Sequence, residues 1–312
     1  MFSLINLAAQ ECKVSEDWVE SVLRSGYSRV KKIKIPKKGK AGFRIVSRPS
    51  AELEILQRWV TVRFLNQYRI HPIAMAFLPN RSILTNAVWH KCGKYFIRVD
   101  FKDFFPSIRL ADLVKVLYED KGCAFPISAY AGYTEFLQKV CFDFDRSLPI
   151  GYISSPCISN LVMWEFDDKL SQILSSNTAV LGNARVTRYA DDIVFSSDKK
   201  GACNEFLILL RKLVSTITNP SLKINEDKTR YTSRPAGTAI VTGLRVCVDS
   251  HITVTRQYKD SIRLMLSLHA KSKLKAADFP VLRGHLAYVR NVAPAFYSKL
   301  CLKYVETIAE FL

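Results

Sequence analysis

One stretch decides the fold class of this chain: residues 185–196, which read Arg-Val-Thr-Arg-Tyr-Ala-Asp-Asp-Ile-Val-Phe-Ser. Two strand-like runs flank an acidic turn, which predicts a β-hairpin. Side chains alternate across a strand, so Asp191 and Asp192 would point to opposite faces inside one, whereas at a tight turn both can converge. Converging carboxylates repel unless a cation neutralises them, and oxygen ligands without Cys or His favour Mg²⁺ or Mn²⁺. The alternative is an ordinary acidic hairpin turn.

A second acidic position lies at the end of the predicted strand of residues 95–101, which is rich in β-branched and aromatic residues. Asp100 lies at its end, and Asp103 follows three residues later. Asp100 could join Asp191 and Asp192 in a single metal site. Two Mg²⁺ ions roughly 4 Å apart, held this way, activate the attacking oxygen and stabilise the leaving oxygen in phosphoryl transfer. The alternative is a strand-end acid without a partner.

The charge balance predicts a polyanionic partner. The 312 residues include 46 Lys and Arg against 28 Asp and Glu, a net charge of +18, and 48% are hydrophobic, which supports a substantial core. A basic protein without such a partner is the alternative, and a membrane-surface role is disfavoured because the charge is spread along the chain. The eight Cys residues form no Cys-x-x-Cys pair and no run reaches about 18 apolar residues, so we expect a cytoplasmic protein without zinc or a membrane span.

Five short motifs lie in order along the chain. Three of them are Val99-Asp100-Phe101-Lys102-Asp103-Phe104-Phe105, Leu148-Pro149-Ile150-Gly151-Tyr152-Ile153-Ser154-Ser155-Pro156 and Tyr189-Ala190-Asp191-Asp192. The other two are Asn86-Ala87-Val88-Trp89-His90 and Val241-Thr242-Gly243. The first three resemble the polymerase motifs of reverse transcriptases, and the other two resemble elements typical of retron enzymes. The resemblance covers roughly residues 30 to 300.

The resemblance implies an α+β right-hand polymerase fold with fingers, a palm of antiparallel sheet backed by helices, and a helical thumb. We expect N-terminal helices and fingers over residues 1–95, a palm over 96–245 and a thumb over 246–312. Residues 29–48 predict a fingers hairpin with one cationic face. The pattern also predicts one helix from Ser155 to Ser175 capped by Ser155, a strand at 222–225, a hairpin at 240–255 and helices from about 257 onward.

The same resemblance assigns the reaction residues. Asp100, Asp191 and Asp192 would hold two Mg²⁺ ions (or Mn²⁺), with Asp100 and Asp191 as the principal bridging pair. Lys228 would lie near the pyrophosphate as a candidate general acid, although a solvated surface Lys is the alternative.

The remaining assignments concern substrates. The candidates for contact with the incoming deoxynucleotide are Lys40, Arg44, Asp103, Phe104, Phe105 and Gly151. Phe105 would pack under the sugar and exclude a 2′-hydroxyl, with a core aromatic as the alternative. Ile150 departs from the Gln of many relatives and removes a polar contact. The candidates for RNA recognition are Asn86, His90, Val241, Thr242 and Gly243, although a lone His is often a satisfied structural residue.

The implied function is that of a retron reverse transcriptase. Such an enzyme binds a structured noncoding RNA, primes from a guanosine 2′-hydroxyl and leaves a branched RNA–DNA product, in a system that restrains a toxic effector in anti-phage defence. A group II intron or other defence-associated reverse transcriptase is the enzyme alternative, disfavoured by the lack of a long C-terminal extension. An RNA-binding scaffold is the non-enzyme alternative, disfavoured by the intact set of three Asp residues.

Overall fold

The computed structural model describes residues 3–36, 42–119, 123, 125–237 and 239–311. The helices are α1 Leu4–Cys12, α2 Glu16–Arg24, α3 Ala51–Arg63, α4 Ile83–Trp89, α5 Phe104–Ser107, α6 Leu110–Glu119, α7 Tyr133–Cys141, α8 Ser155–Val162, α9 Trp164–Ser176, α10 Thr178–Leu181, α11 Ala202–Thr216, α12 Arg256–Ala270, α13 Phe279–Val292, α14 Pro294–Lys303 and α15 Val305–Ala309. The strands are β1 Val30–Pro36, β2 Phe43–Pro49, β3 Tyr95–Asp100, β4 Arg185–Tyr189, β5 Asp192–Ser197, β6 Arg230–Ser233, β7 Ala239–Val241, β8 Leu244–Val246 and β9 Ile252–Val254. None of the described helices combines the length and apolar character needed to cross a bilayer.

The central sheet has the order β4-β5-β3-β6, and every neighbouring pair is antiparallel. Its register sets Asp100 directly opposite Asp192, at the point where β3 ends and β5 begins. The predicted α+β fold with an antiparallel palm sheet is therefore confirmed.

Both faces of this sheet are covered, but by different cores. Ile97, Val99 and Phe195 face the larger core, which the N-terminal helices share with α6–α9 and α11. Phe96 and Val194 face a second core built from α4, the sheet β7-β8-β9 and the C-terminal helices α12–α15. Asp100 and Asp192 lie on the same face as Phe96 and Val194, at the ends of their strands.

The hairpin β1–β2 docks on the segment before α8. Ser47 N donates to Ile150 O at 2.7 Å. A Cβ on Gly151, whose φ is +108°, would lie 2.5 Å from Ser47 O, so only Gly allows this contact. The prediction that this hairpin has one cationic face is wrong, because Lys34 is paired with Ile45 and Ile35 with Arg44. Residues paired directly across an antiparallel ladder share a face, so both faces are mixed.

Three further details differ from expectation. The predicted single helix from Ser155 is two, because Met163 is fully buried with ψ near 0° and turns the chain between α8 and α9. Ser155 does not cap α8, since its hydroxyl donates to Pro149 O at 2.7 Å. The predicted strand at 222–225 is reduced to a single bridge between Ile224 and Phe101. The C-terminal helices are confirmed, with Pro280 and Pro294 in the first turns of α13 and α14.

Candidate active site

Asp100 is almost fully buried at the end of β3 and is held by two side chains that follow on the chain after α11. Lys228 Nζ lies 2.6 Å from Oδ1 and 2.9 Å from Oδ2 of Asp100. Asn225 Nδ2 donates to Oδ1 at 3.3 Å, and Asn225 N donates to the Asp100 carbonyl at 2.7 Å. Lys228, which the sequence resemblance placed near the pyrophosphate, therefore contacts the carboxylate of Asp100 in this structure.

Asp192, opposite Asp100, accepts two hydrogen bonds from the Arg98 guanidinium, at 2.9 and 2.7 Å. Arg98 stands two residues before Asp100 on β3 and so shares its face of the sheet. Burial raises the pKa of Asp192 to about 6, and the positive charge of Arg98 opposes this shift.

Asp191 occupies the turn between β4 and β5, where Ala190 adopts φ +56°. The Asp191 carbonyl accepts from Phe101 N at 3.0 Å, which ties the turn to the end of β3. Burial, and then the negative charge of Asp100, raise the pKa of Asp191, whereas Lys228 and Arg44 lower it. Arg44 on β2 is therefore close enough to act electrostatically on this turn.

The three carboxylates make an oxygen-only donor set, which fits a hard divalent cation. The pKa of Asp191 is raised by burial and by Asp100, and that of Asp192 by burial and by both other carboxylates, whereas nearby cations oppose these shifts. The oxygens of the three Asp residues do not all lie within 4.8 Å of one another. Among the described residues, three potential ligand atoms that close together are found at Cys247, Asp249 and His251, in the β8–β9 turn. Asp100 instead turns to Lys228 and Asp192 to Arg98.

A buried ion pair, which the sequence analysis did not predict, joins the acidic hairpin to helix α9. Arg188 on β4 and Asp167 on α9 are both 0% exposed, and two hydrogen bonds of 2.7 and 2.6 Å join them. Arg188 Nη1 also lies 3.3 Å from Asn160 Oδ1 and 3.3 Å from the Ala190 carbonyl. The guanidinium thus fixes the backbone of the turn that carries Asp191.

Comparison with known proteins identifies the chain at this point. A family described as "Reverse transcriptase (RNA-dependent DNA polymerase)" matches residues 35–266. The chain belongs to the reverse transcriptase family. It is 38% identical over 312 residues to the retron Ec73 reverse transcriptase of Escherichia coli, covering 99% of this chain and 96% of that protein. It is also 29% identical over 283 residues to the retron Ec83 reverse transcriptase of the same organism, covering 88% and 86%.

These relatives make it a retron reverse transcriptase, an RNA-directed DNA polymerase. Its fold resembles that of telomerase from Candida albicans, solved with a TWJ fragment of telomeric RNA, with a TM-score of 0.53 at 11% identity. The match covers 95% of this chain but 62% of the telomerase chain, and it bears on the right-hand fold alone.

Of the residues predicted to contact the incoming nucleotide, Phe104 and Phe105 are in contact with each other, whereas Asp103 and Gly151 have other surroundings. Phe105 is half-buried, with its ring 6.3 Å from that of Phe77 and 5.5 Å from that of buried Phe104. Asp103 is exposed in a left-handed conformation at the start of α5. Lys40 lies outside the described residues. The close approach expected at Gly151 is made by the protein's own Ser47.

Within the retron element, the side chains of Asn86 and His90 are not accessible to RNA in this structure, whereas those of Val88 and Trp89 are exposed. The Asn86 and His90 side chains are 0% exposed and bonded to other buried groups. The predicted direct contact of these two residues with RNA is therefore wrong for this conformation. The Val-Thr-Gly element forms the β7–β8 turn, where Val241 is buried but Thr242 and Gly243 reach the surface. Thr242 Oγ1 donates to the Ile83 carbonyl at 3.2 Å, so the Val-Thr-Gly turn packs on the start of α4, the helix that carries Asn86.

Proposed function

We propose that this reverse transcriptase copies part of a cognate structured noncoding RNA into DNA, priming from an RNA 2′-hydroxyl and leaving a branched RNA–DNA product. The 38% identity to a retron reverse transcriptase over nearly the whole chain is the observation that carries this proposal. We further propose that the enzyme acts in the cytoplasm as part of an anti-phage unit with an effector protein. The eight free cysteines are compatible with a reducing compartment.

We propose that Asp100, Asp191 and Asp192 hold two Mg²⁺ ions, for which Mn²⁺ could substitute. When bound, such ions activate the primer hydroxyl and stabilise the leaving pyrophosphate. The buried Asp100 offers both oxygens to a ligand that displaces Lys228, and Asp192 is already held in one orientation by Arg98. This pre-orientation lowers the cost of assembling the site.

Lys228 is the proposed contact to the pyrophosphate and the candidate general acid. Its side chain is 40% exposed although its Nζ contacts Asp100, so an anionic phosphate can approach it from solvent. Arg44 is the proposed fingers contact to the triphosphate, because β2 brings its charge to Asp191. Phe105 remains the proposed sugar gate, at the edge of an aromatic group with Phe77 and Phe104.

RNA binding is proposed to rest on phosphate contacts from the excess of basic residues. Lys31, Lys32 and Lys34 of β1 are all exposed and add to the net charge of +18. Thr242 and Gly243 remain candidates for recognition of the cognate RNA, since they reach the surface at a turn.

Primer extension and RNA retention should be measured on one preparation of Asp191→Asn. We expect DNA synthesis to be abolished and RNA binding to persist, because the carboxylate would hold metal whereas affinity comes mainly from Lys and Arg. Asp198→Asn is the matched control, because Asp198 is an exposed acid at the opposite end of the same hairpin. Near-normal extension by folded Asp191→Asn would remove this residue from the reaction.

A further inference from the structure

A chain of buried hydroxyl, imidazole and amide groups crosses from α4 to the catalytic hairpin. His90 Nδ1 lies 2.8 Å from Ser196 Oγ on β5, and His90 Nε2 lies 2.8 Å from Thr187 Oγ1 on β4. Thr187 Oγ1 in turn lies 2.6 Å from Asn86 Oδ1. All four residues are at most 1% exposed. One imidazole thus bonds both strands that carry the acidic turn.

The direction of these bonds follows from their chemistry. Burial, and secondarily the charge of Arg185, lower the pKa of His90 to about 3, so its ring is neutral and has one donor and one acceptor. Thr187 donates to Asn86 Oδ1 and therefore accepts from Nε2–H of His90. Nδ1 then accepts from the Ser196 hydroxyl, so that every bond in the chain has one donor and one acceptor.

The geometry relates this chain to the carboxylates. Ser196 is four residues after Asp192 along β5, about 13 Å of strand, and Thr187 is two residues before the end of β4 at Tyr189, which precedes the turn that carries Asp191. Both hydroxyls lie on the sheet face that carries Val194. Thr187 is paired with Val194 across the ladder, and Ser196 comes two residues after Val194 on β5, so all three side chains share that face. The contact is close-packed, since a Cβ on Gly93 would lie 2.6 Å from Ser196 Cβ.

We propose that His90 is a positioning residue for polymerisation, which clamps β4 to β5 and to α4 so that Asp191 and Asp192 stay aligned with Asp100. The backbone ladder sets which residues pair, but it leaves the twist between two strands adjustable. Side-chain bonds to both strands and to a packed helix restrict that twist. This inference rests on the proposed role of the carboxylates in the reaction, and it replaces RNA contact as the role of the buried Asn86 and His90.

The test is steady-state extension of an artificial primer on an unrelated RNA template. A displacement of about 1 Å at reacting groups can cost about 100-fold in rate, so we expect His90→Ala to lower kcat by up to that factor. The KM for the deoxynucleotide should change little, because the hydrogen-bonded residues Asn86, His90, Thr187 and Ser196 are not among the proposed nucleotide contacts. Ser196→Ala, which removes a single bond, should lower kcat less. His90→Gln, with an amide N–H near the Nε2 position, should recover part of the loss.

Two controls separate positioning from stability. Val19→Ala removes fully buried methyl groups from α2, in the N-terminal helix pair, and should lower Tm. Its kcat should equal that of the wild type when it is assayed at a temperature well below Tm. In the double variant His90→Ala with Ser196→Ala, kcat should equal that of His90→Ala alone, because the one bond that Ser196→Ala removes is already lost in His90→Ala.

The inference is overturned if folded His90→Ala keeps the wild-type kcat. It is also overturned if the losses in kcat of His90→Ala and Ser196→Ala multiply in the double variant. A third contradicting result is a loss of kcat in His90→Ala no greater than that in Val19→Ala, when the two variants have lost the same amount of Tm. The inference is likewise overturned if cognate RNA binding falls while generic extension survives, which would restore a recognition role. Asp191→Asn on the same template keeps the two proposals apart: an active Asp191→Asn contradicts the proposed function, whereas an inactive Asp191→Asn beside a fully active His90→Ala contradicts positioning alone.

Discussion

Replacing Asp167 by Ala should lower the free energy of unfolding by about 3–5 kcal/mol, because it leaves the Arg188 guanidinium buried without a counter-charge. Both side chains are 0% exposed, and the pair is held by two short hydrogen bonds. The remaining acceptors, Asn160 Oδ1 and the Ala190 carbonyl, are neutral and 3.3 Å away, so they cannot replace a carboxylate. A loss of this size is large against the roughly 5–15 kcal/mol stability of a typical protein.

Urea unfolding of the variants gives the magnitude. The double variant Asp167→Leu with Arg188→Met removes both charges, and we expect it to be more stable than Asp167→Ala, because similar apolar replacements of buried pairs are often neutral. The same double variant should extend primers more slowly than wild type, because the Ala190 carbonyl loses its donor. If Asp167→Ala cost no more than the roughly 0.5 kcal/mol of an ordinary surface change, the reasoning from a buried, unreplaceable charge would be refuted.

Three further outcomes are expected. RNA affinity should fall by roughly 10³–10⁵ between 50 and 200 mM salt if six to ten phosphates are contacted, with a gentler slope for single strands, whereas a flat titration would contradict a phosphate-binding surface. Phe105→Ala should raise kcat/KM for a ribonucleotide relative to the matching deoxynucleotide, and an unchanged ratio in an active variant would make Phe105 a core aromatic. Gly151→Ala should lower both Tm and extension, because its Cβ would lie 2.5 Å from Ser47 O and force β2 away; a variant with wild-type Tm would show that this contact is soft.

The acidic hairpin could be predicted because local pattern and chemistry agree there. Strand-like residues flank Asp191 and Asp192, and the register of β3 and β5 then brings Asp100 opposite Asp192. The pairing of Asp192 with Arg98 could not be predicted in the same way. Arg98 is a strand residue whose facing neighbour depends on register, and a shift of one residue would move it to the other face.

The buried polar groups were predicted least well. A short motif with Asn86 and His90 gives no sign of burial, because burial depends on the second core that closes over α4. Arg188 likewise looks like an exposed strand residue, since Arg is almost never fully buried unless it is paired. Its partner Asp167 lies 21 positions away on a helix, and no local pattern joins the two. The break at Met163 was missed because apolar spacing continues across it.

Isolation of the nucleic acid that copurifies with the wild-type protein from cells tests the central claim most directly. The copurified nucleic acid should be sequenced and treated with an enzyme specific for 2′–5′ linkages. The account predicts one structured RNA joined to a single-stranded DNA complementary to part of it, with the DNA released by that enzyme and absent from Asp191→Asn. A preparation that carries only unrelated RNA, or DNA without a 2′–5′ branch, would contradict it.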